Sequence, residues 1–501
     1  MRRSLRQLAI ISSAALAGTG CMMVGPDYRE PEPPLESQWI EYEDPALDSE
    51  SSLVPEWWKS TLKDPVLDGL VTTALEDNLT LRSAGLRVLQ AQQQLAIAVG
   101  NQYPQQQDLS GSAGVERANR RTDDVYDFGF NISWEADVWG RFRRQIETAS
   151  ALLDASLASY DGAVVSLIAQ VAQTYISILT TQQRIDVARH NVSLQEESVR
   201  ITQAKFDAGA TSALDVEQAQ TLLYNTRATV YTQEISLQQL KNSLAVLLGR
   251  PPQDLGGLLG QPRPVPTVDP AIAVGMPQDL IRRRPDIRVA ERRLAAQSAQ
   301  IGFAITDLYP QFTIGGSIGT SVTTLGEEDA GDLFTNDTFR YNLAGGFVWN
   351  IFNYGRLRSN VRLQDASFQQ LLEDYRQTVL RVQAEVENAI VAFLQSRAQL
   401  DERRAAAEAA QRAVDISTLQ YEDGLVSFNT VISTLQSLVA QQDLLATAQG
   451  SVAANLVEVY RALGGGWEVR SSADPVDLLP EETREEMEER TDYWDRQFRD
   501  R

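Results

Sequence analysis

One cysteine and one histidine in 501 residues leave few positions at which this chain could do covalent or acid–base chemistry. Cys21 stands in "GTGCMMVGPDY", directly after "MRRSLRQLAIISSAALAGTG". Arg2, Arg3 and Arg6 form a basic front, and Leu8 to Ala17 an apolar stretch too short for a membrane span, which takes about 20 residues. A small-residue run ending at a cysteine is the layout of a bacterial lipoprotein signal. Residues 1–20 would be removed, and Cys21 acylated on its sulfur and its new amino group. Gly18 occupies the position where such signals ordinarily carry an aliphatic residue, and Leu16 lies two places further back. A lone cysteine excludes a disulfide within the chain. His190, in "VARHNV", reads as a solvent-facing residue within a helix. No Ser-His-Asp set, zinc-ligand cluster or phosphate loop can be assembled, and "GGSIG" (315–319) reads as strand. The expectation is a protein that is not an enzyme, with no metal and no cofactor beyond the acyl lipid.

Composition narrows the partners. The chain is 43% hydrophobic and 22% charged, with a net charge of −22. Such an acidic surface repels phosphate backbones, which argues against nucleic acid. Beyond the signal no uninterrupted apolar run of transmembrane length is present, so no helix is expected to span a bilayer. A β-barrel stays open, because its strands need only about 10 alternating residues each.

The elements that would position these residues are duplicated. "AVGNQYPQ" (98–105) returns as "AITDLYPQ" (304–311), placing Tyr103 on Tyr309 at an offset of 206. "ISWEADVWGRFR" (132–143) returns as "FVWNIFNYGRLR" (347–358) at an offset of 215, so the second copy has gained 215 − 206 = 9 residues between these landmarks. The larger offset then persists, from Tyr160/Tyr375 through Gly209/Gly424 to Leu248/Leu463. Two repeats follow, 64–249 and 276–465, joined by a Pro- and Gly-rich linker at 250–275. Residues 21–63 read as a tether and 466–501 as an acidic, partly helical or disordered extension.

Each repeat has one plan. A helix of about 35 residues, such as 64–100, ends at Tyr-Pro. A hairpin of two alternating strands follows, at about 107–138 and 311–351, with Tyr126, Phe128, Phe130, Ile132 and Trp134 on one face and Asp127, Asn131, Ser133 and Glu135 on the other. The hairpin tips, 117–124 and 324–337, are polar, and the extra residues lengthen the second. Very long helices come next, about 140–206 and 355–421, with a heptad-like seam through Leu157, Tyr160, Val164, Leu167, Val171 and Tyr175. Gly209 and Gly424 end them, Ser212 and Ser427 are placed to cap the returning helices, and these run over 213–249 and 428–463. Each return helix spans roughly 55 Å against roughly 100 Å for the long helix. Stacked end to end with a repeat's opening helix, it completes one side of a tall helical hairpin. The linker and both termini are expected to gather at the junction.

Four strands cannot close a barrel, which needs about eight, and an open edge in lipid is prohibitive. Subunits must combine, and strand number alone allows a dimer of eight or a trimer of twelve.

With these features assembled, the chain resembles outer-membrane factors of the TolC/OprM type, in the lipoprotein branch of multidrug-efflux outer-membrane channels that includes NodT-like proteins. The resemblance covers nearly all of residues 21–465. It rests on "GCMMVGPDY", the twofold repeat, both Tyr-Pro junctions, "WEADVWGR", "WNIFNYGR", and the "AGATS" and "DGLVS" turns. It implies a mostly α fold with a small β part: a homotrimer with a twelve-stranded outer-membrane barrel, continuous with a long periplasmic α-helical barrel closed at its far end. It implies docking onto a periplasmic adaptor (membrane-fusion) protein and an inner-membrane pump of the RND type, and contact with outer-membrane lipid. Drug or toxic-compound efflux is the leading function. Type I protein secretion and a non-pore, lipid-anchored coiled-coil scaffold are the alternatives.

By the same resemblance the periplasmic gate falls on Asp207, Tyr421, Glu422 and Asp423, where converging carboxylates would repel anions. Val426 stands where relatives carry an aspartate, so the gate is either more apolar or charged through Asp423. The adaptor-contact candidates are Gly209, Ala210, Thr211 and Ser212 on the first turn and Gly424, Leu425, Val426 and Ser427 on the second. Met1, Met22, Met23, Met276 and Met487 all lie off the implied channel, which weighs against a methionine-lined copper or silver conduit.

Overall fold

Duplicated sequence becomes duplicated geometry in the computed structural model, which describes residues 22–36, 38–41, 43–45, 47–48, 54–118, 121–252, 255–266, 272–273, 283–323, 330–470, 474–494 and 497–498. The proposed signal, Cys21 and residues 324–329 of the second hairpin tip lie outside the described residues. A short helix α1 (Trp57–Thr61) leads into α2 (Pro65–Asp77), α3 (Leu79–Gly100), strands β1 (Gln106–Ala118) and β2 (Arg121–Ala136), the 67-residue α4 (Arg141–Asp207) and the return helix α5 (Ala213–Leu247). The second copy supplies α6 (Pro285–Thr306), β3 (Gln311–Thr323), β4 (Phe339–Val348), the 67-residue α7 (Arg356–Glu422) and α8 (Phe428–Ala462), and α9 (Glu481–Arg490) follows. Both ends of α6 lie 206 residues after those of α3, and both ends of α7 and α8 lie 215 after those of α4 and α5.

The opening helix is not continuous. Asp64 caps α2 by accepting the Val66 N–H at 2.8 Å, with Pro65 at the first helical position. Asn78 then leaves helical geometry (φ −67°, ψ 118°), and its side-chain oxygen caps α3 through the Leu81 N–H at 2.9 Å. The same asparagine donates its amide to the Leu247 carbonyl at the end of α5 (2.9 Å). In the second copy Arg284, 206 residues on, donates to the Ala462 carbonyl at the end of α8 (2.5 Å). The end-to-end stacking expected of short helices is realised by one capping residue per repeat.

The chain divides into two units. The first comprises residues up to Glu32, Arg87–Leu157 and Val289–Arg376. Its four-stranded antiparallel sheet has the order β1-β2-β3-β4. Pairing runs to Ala118↔Arg121, so the first tip is shorter than the 117–124 inferred from polarity. The described part of the second tip forms two 3₁₀ turns, 330–334 and 336–338, with Phe334 edge-on to Phe128 (5.8 Å). β4 stops at Val348, short of the expected 351. Equivalent tryptophans fasten each hairpin to its opening helix: Trp134 donates to Gln102 O (3.2 Å) and Trp349 to Leu308 O (3.0 Å).

The amino-terminal stretch is not a loose tether. Val24 donates to Trp139 O at 3.1 Å, and the buried Arg144 guanidinium donates to Val24 O and Gly25 O, both at 3.2 Å, and pairs with Asp27 at 3.0 Å. Gly25 (φ 93°) lies directly against the Gly302 backbone, where a side chain has no room.

The second unit comprises Pro33–Leu86, Ala158–Arg288 and Gln377–Arg501. Leu47–Asp48 pairs in parallel with Ile272–Ala273, which ties the linker to the segment before the first repeat. Residues 22–32 belong to the first unit. Trp57 stacks on Tyr460 at 4.8 Å, and Tyr175 donates to Asp64 at 2.7 Å. The acidic carboxyl-terminal region is docked as far as Leu479, and no residue of α9 is buried. Arg470 and Arg288 converge on the buried Asp161 at 2.7 and 3.0 Å, and Val476 and Leu479 are buried. Within α4 an 18-residue window reaches a mean hydropathy of 1.6, and 61% of that window is buried within the protein. Its apolarity is spent on packing.

Candidate functional site

Both long helices end in the same paired-bond cap. Ala210 N donates to Lys205 O (2.7 Å) and Gly209 N to Phe206 O (2.8 Å); Leu425 N donates to Gln420 O (2.8 Å) and Gly424 N to Tyr421 O (3.1 Å). These bonds satisfy the final carbonyls and require a left-handed residue, which Gly209 (φ 71°) and Gly424 (φ 72°) supply. The returning starts differ. Asp215 closes a capping box with Ser212, accepting its N–H at 3.3 Å, and also takes the Thr211 hydroxyl. Ser427 makes no side-chain cap, contrary to its expected role; the residue matching Asp215 is Thr430, which has no carboxylate to close the box.

The candidate acids Asp207, Glu422 and Asp423 are exposed at the helix ends, with Asp207 accepting from Gln203 Nε2 at 2.8 Å. Tyr421 is instead buried against Phe428, ring centroids 5.2 Å apart. Val426 is half-buried on the cluster that contains Phe428, Val431 and Leu435, so its methyl groups belong to the local core. Thr211 is half-buried as well, whereas Gly209, Ala210, Ser212, Gly424, Leu425 and Ser427 are exposed on the two turns.

The residue that joins the two tips is one that pattern reading missed. Lys205 reaches from the last turn of α4 to the last turn of α7. Its ammonium lies 2.5 Å from Tyr421 O, 3.2 Å from Glu422 O and 4.2 Å from the centre of the Tyr421 ring. A cation on terminal carbonyls complements the negative end of the helix dipole, and the aromatic face adds a cation–π contact. Aligning the copies could have raised the signal, because Lys205 stands opposite Gln420. The ammonium uses backbone oxygens and leaves the three nearby carboxylates at the tip unengaged by it.

The sheet is a second, separate candidate region. Register places Leu109, Phe130, Ile318 and Tyr341 across from one another, and Phe312 beside Phe347. This face is apolar and open, with Tyr341 80% and Leu343 79% exposed. The opposite face is polar: Asn131 Nδ2 donates to Asp108 (3.1 Å) and Ser110 (3.0 Å), and Ser112 donates to Asp127 (3.1 Å). β1 and β4 are both edges, and among the described residues no strand lies beside the outer side of either. A sheet greasy on one face, hydrophilic on the other and unfinished at both edges, with long helical hairpins in the same chain, defines a channel-forming outer-membrane protein.

Comparison with known proteins gives the same class a family. The model of the family described as "Outer membrane efflux protein" matches residues 70–250 and 276–465. Nodulation protein T of Rhizobium leguminosarum bv. viciae is 31% identical over 454 residues, covering 90% of this chain and 92% of that protein. The pyoverdine export outer membrane protein OpmQ of Pseudomonas aeruginosa is 32% identical over 490 residues, covering 93% and 98%. Among solved structures, the outer-membrane channel OprN superimposes with a TM-score of 0.83 at 30% identity, over 89% of this chain and 99% of that one. The chain belongs to the outer membrane efflux protein family.

Proposed function

We propose that three copies of this chain close one barrel, each β4 edge pairing with the β1 edge of its neighbour. The apolar faces meet lipid and the polar faces line a water-filled conduit. The observation that carries the reading is the sheet itself: two-faced, four-stranded and unpaired at both edges. In lipid each unpaired backbone group costs several kcal/mol, so an isolated subunit is not a viable membrane form. The conduit passes small molecules delivered by an inner-membrane pump of the RND type through a periplasmic adaptor. The adaptor docks on the exposed turn residues Gly209–Ser212 and Gly424–Ser427. The chain conducts and does not catalyse, and its only covalent addition is acyl lipid on Cys21. Asp207, Glu422 and Asp423 face the narrow end of the conduit, and Lys205 on the Tyr421 and Glu422 carbonyls holds the two tips of each subunit together in the closed form. OpmQ is named for pyoverdine export, which is consistent with a cargo of small compounds.

Heat-resistant trimers on gels together with ion conductance in planar bilayers test the channel. A soluble monomer without conductance would replace it with a non-pore scaffold. Deleting the gene and profiling drug susceptibility beside secreted proteins tests the cargo: loss of a secreted protein with unchanged susceptibility would assign the conduit to protein secretion.

A further inference from the structure

The described part of the connection between β3 and β4, residues 330–338, folds back on the sheet as two 3₁₀ turns and packs on β2 and β3. The turns lie on the apolar face. Phe334 meets Phe128 there, and Val322, which pairs with Tyr126 on the same face, is 0% exposed. Among the described side chains of the four strands no other is buried.

One side chain ties these turns together. Thr338 is only 2% exposed, and its hydroxyl lies 2.9, 3.1 and 3.2 Å from the Thr335, Leu333 and Asp332 carbonyls. Thr335 donates both its N–H and its hydroxyl to Asp332 O, each at 2.9 Å. Carbonyls satisfied internally can approach hydrocarbon, which irregular backbone otherwise cannot enter. Phe334 stands outside this knot at 73% exposure, and Asn336 and Asp337 add exposed polar groups to the same turns.

Their position along the strands is that of a membrane boundary. From Phe128 to Ala136, which pairs with Phe312, β2 runs 136 − 128 = 8 residues, about 27 Å of strand. At the usual barrel tilt this gives about 20 Å of height, against about 25 Å for the apolar band of outer-membrane barrels. Phe312 and Phe347, 6.1 Å apart, mark the end nearer the helices, and Phe128 with Phe334 marks the far end. Aromatic girdles stand at both limits of such bands.

We infer that residues 330–338 seat on the outer leaflet of the membrane, with Phe334 inserted at the boundary between headgroups and hydrocarbon. The partner is the lipid surface itself. A lid over the conduit would lie on the polar face, and these turns occupy the opposite one. A neighbouring copy would join at β1 and β4, the free edges, whereas the turns rest on the two central strands. The inference rests on the reading of the sheet as one wall of a membrane barrel.

Nitroxide labels test the placement in the full-length protein, reconstituted into liposomes of phosphatidylethanolamine and phosphatidylglycerol. Cysteines are introduced one at a time, as Phe334→Cys, as Leu343→Cys on the apolar face and as Asn131→Cys on the polar face. Any label taken up by the parent is subtracted. Power saturation compares oxygen, which concentrates in hydrocarbon, with a nickel chelate confined to water. The oxygen-to-nickel accessibility ratio should be highest at Leu343, lowest at Asn131, and at Phe334 several-fold above Asn131. A Phe334 ratio equal to that of Asn131, with Leu343 still in lipid, overturns the inference and leaves the barrel standing. A low ratio at Leu343 as well overturns the barrel reading and the inference with it. Shielding of the Phe334 label from both reagents would assign the turns to a neighbouring copy, which also overturns the inference. Phe334→Trp keeps an aromatic ring and guards against a label that loosens the turns. Its added indole emission should be quenched more by lipids brominated near the headgroup than by lipids brominated at the chain end; quenching by neither overturns the inference.

Discussion

Lys205→Met removes the ammonium from the contact between the two tips and keeps most of its aliphatic stem. The lost contacts are two hydrogen bonds to terminal carbonyls, at 2.5 and 3.2 Å, and the ring contact at 4.2 Å. A hydrogen bond with one charged partner contributes about 1.5–3 kcal/mol, less where solvent screens it, and the ring contact adds about 0.5–1 kcal/mol. Ordering a lysine stem costs up to about 2 kcal/mol. The net contribution is about 2 kcal/mol per subunit, which converts to a shift of roughly 25-fold in the balance between joined and separated tips. Single-channel recordings of the reconstituted protein should show longer or more frequent openings, and cells carrying the variant should become sensitive to antibiotics too large for ordinary porins. Lys205→Arg, which retains a cation, should stay near the parent. Unchanged open probability and unchanged susceptibility in well-assembled Lys205→Met protein would refute the claim that this contact restrains the tip.

Four further outcomes are open to measurement. Asp207→Ala with Asp423→Ala should raise single-channel conductance or leakiness; unchanged permeability in a well-expressed double variant would remove these acids from the gate. Successive amides of a strand point to opposite neighbours, so Leu343→Pro with Ala344→Pro removes a donor from the free edge of β4 and should abolish heat-resistant trimers while circular dichroism retains its helical signal. The Arg461 guanidinium, with the Gln173 amide assisting, holds the Glu458 carboxyl below the usual carboxylate range. Its contribution to stability is present above the ordinary carboxylate pKa and is lost as pH falls through the lowered one. Glu458→Gln should therefore flatten the acid limb of thermal stability, and an unaltered acid limb would discount the pair. Cys21→Ser behind a non-lipoprotein signal should still yield some inserted trimer, because four strands per copy already span the membrane; complete loss of insertion would make the lipid obligatory.

The plan of the molecule was legible because duplication checks itself. Heptad spacing and the Gly209 and Gly424 stops placed both long helices within one residue of their observed ends. The alternation from Tyr126 to Trp134 placed the apolar face of the sheet correctly. What escaped were features that periodicity does not encode. Asn78 reads as one polar position in an amphipathic run, and only its bond to Leu247, 169 residues away, shows why the helix must break there. Lys205 looks like a surface lysine until α7 is brought beside it. Polar composition also misplaced the first hairpin tip, because strands with one wet face stay polar up to the turn. The carboxyl-terminal region was judged by its charge, yet a few residues such as Arg470, Val476 and Leu479 dock it, too sparse a set to form a pattern.

The hold of Arg144 on Val24, Gly25 and Asp27 bears on how this protein can be labelled. An epitope or fluorescent reporter inserted between Val24 and Asp27 would have to displace Val24 from Trp139 or Asp27 from the guanidinium, and Gly25 leaves no slack against Gly302. The carboxyl side offers little more room before Leu479. An insertion between Ala118 and Arg121 leaves every pair of the β1–β2 ladder in place. A tag placed there can report assembly from the living cell without loosening either end of the chain.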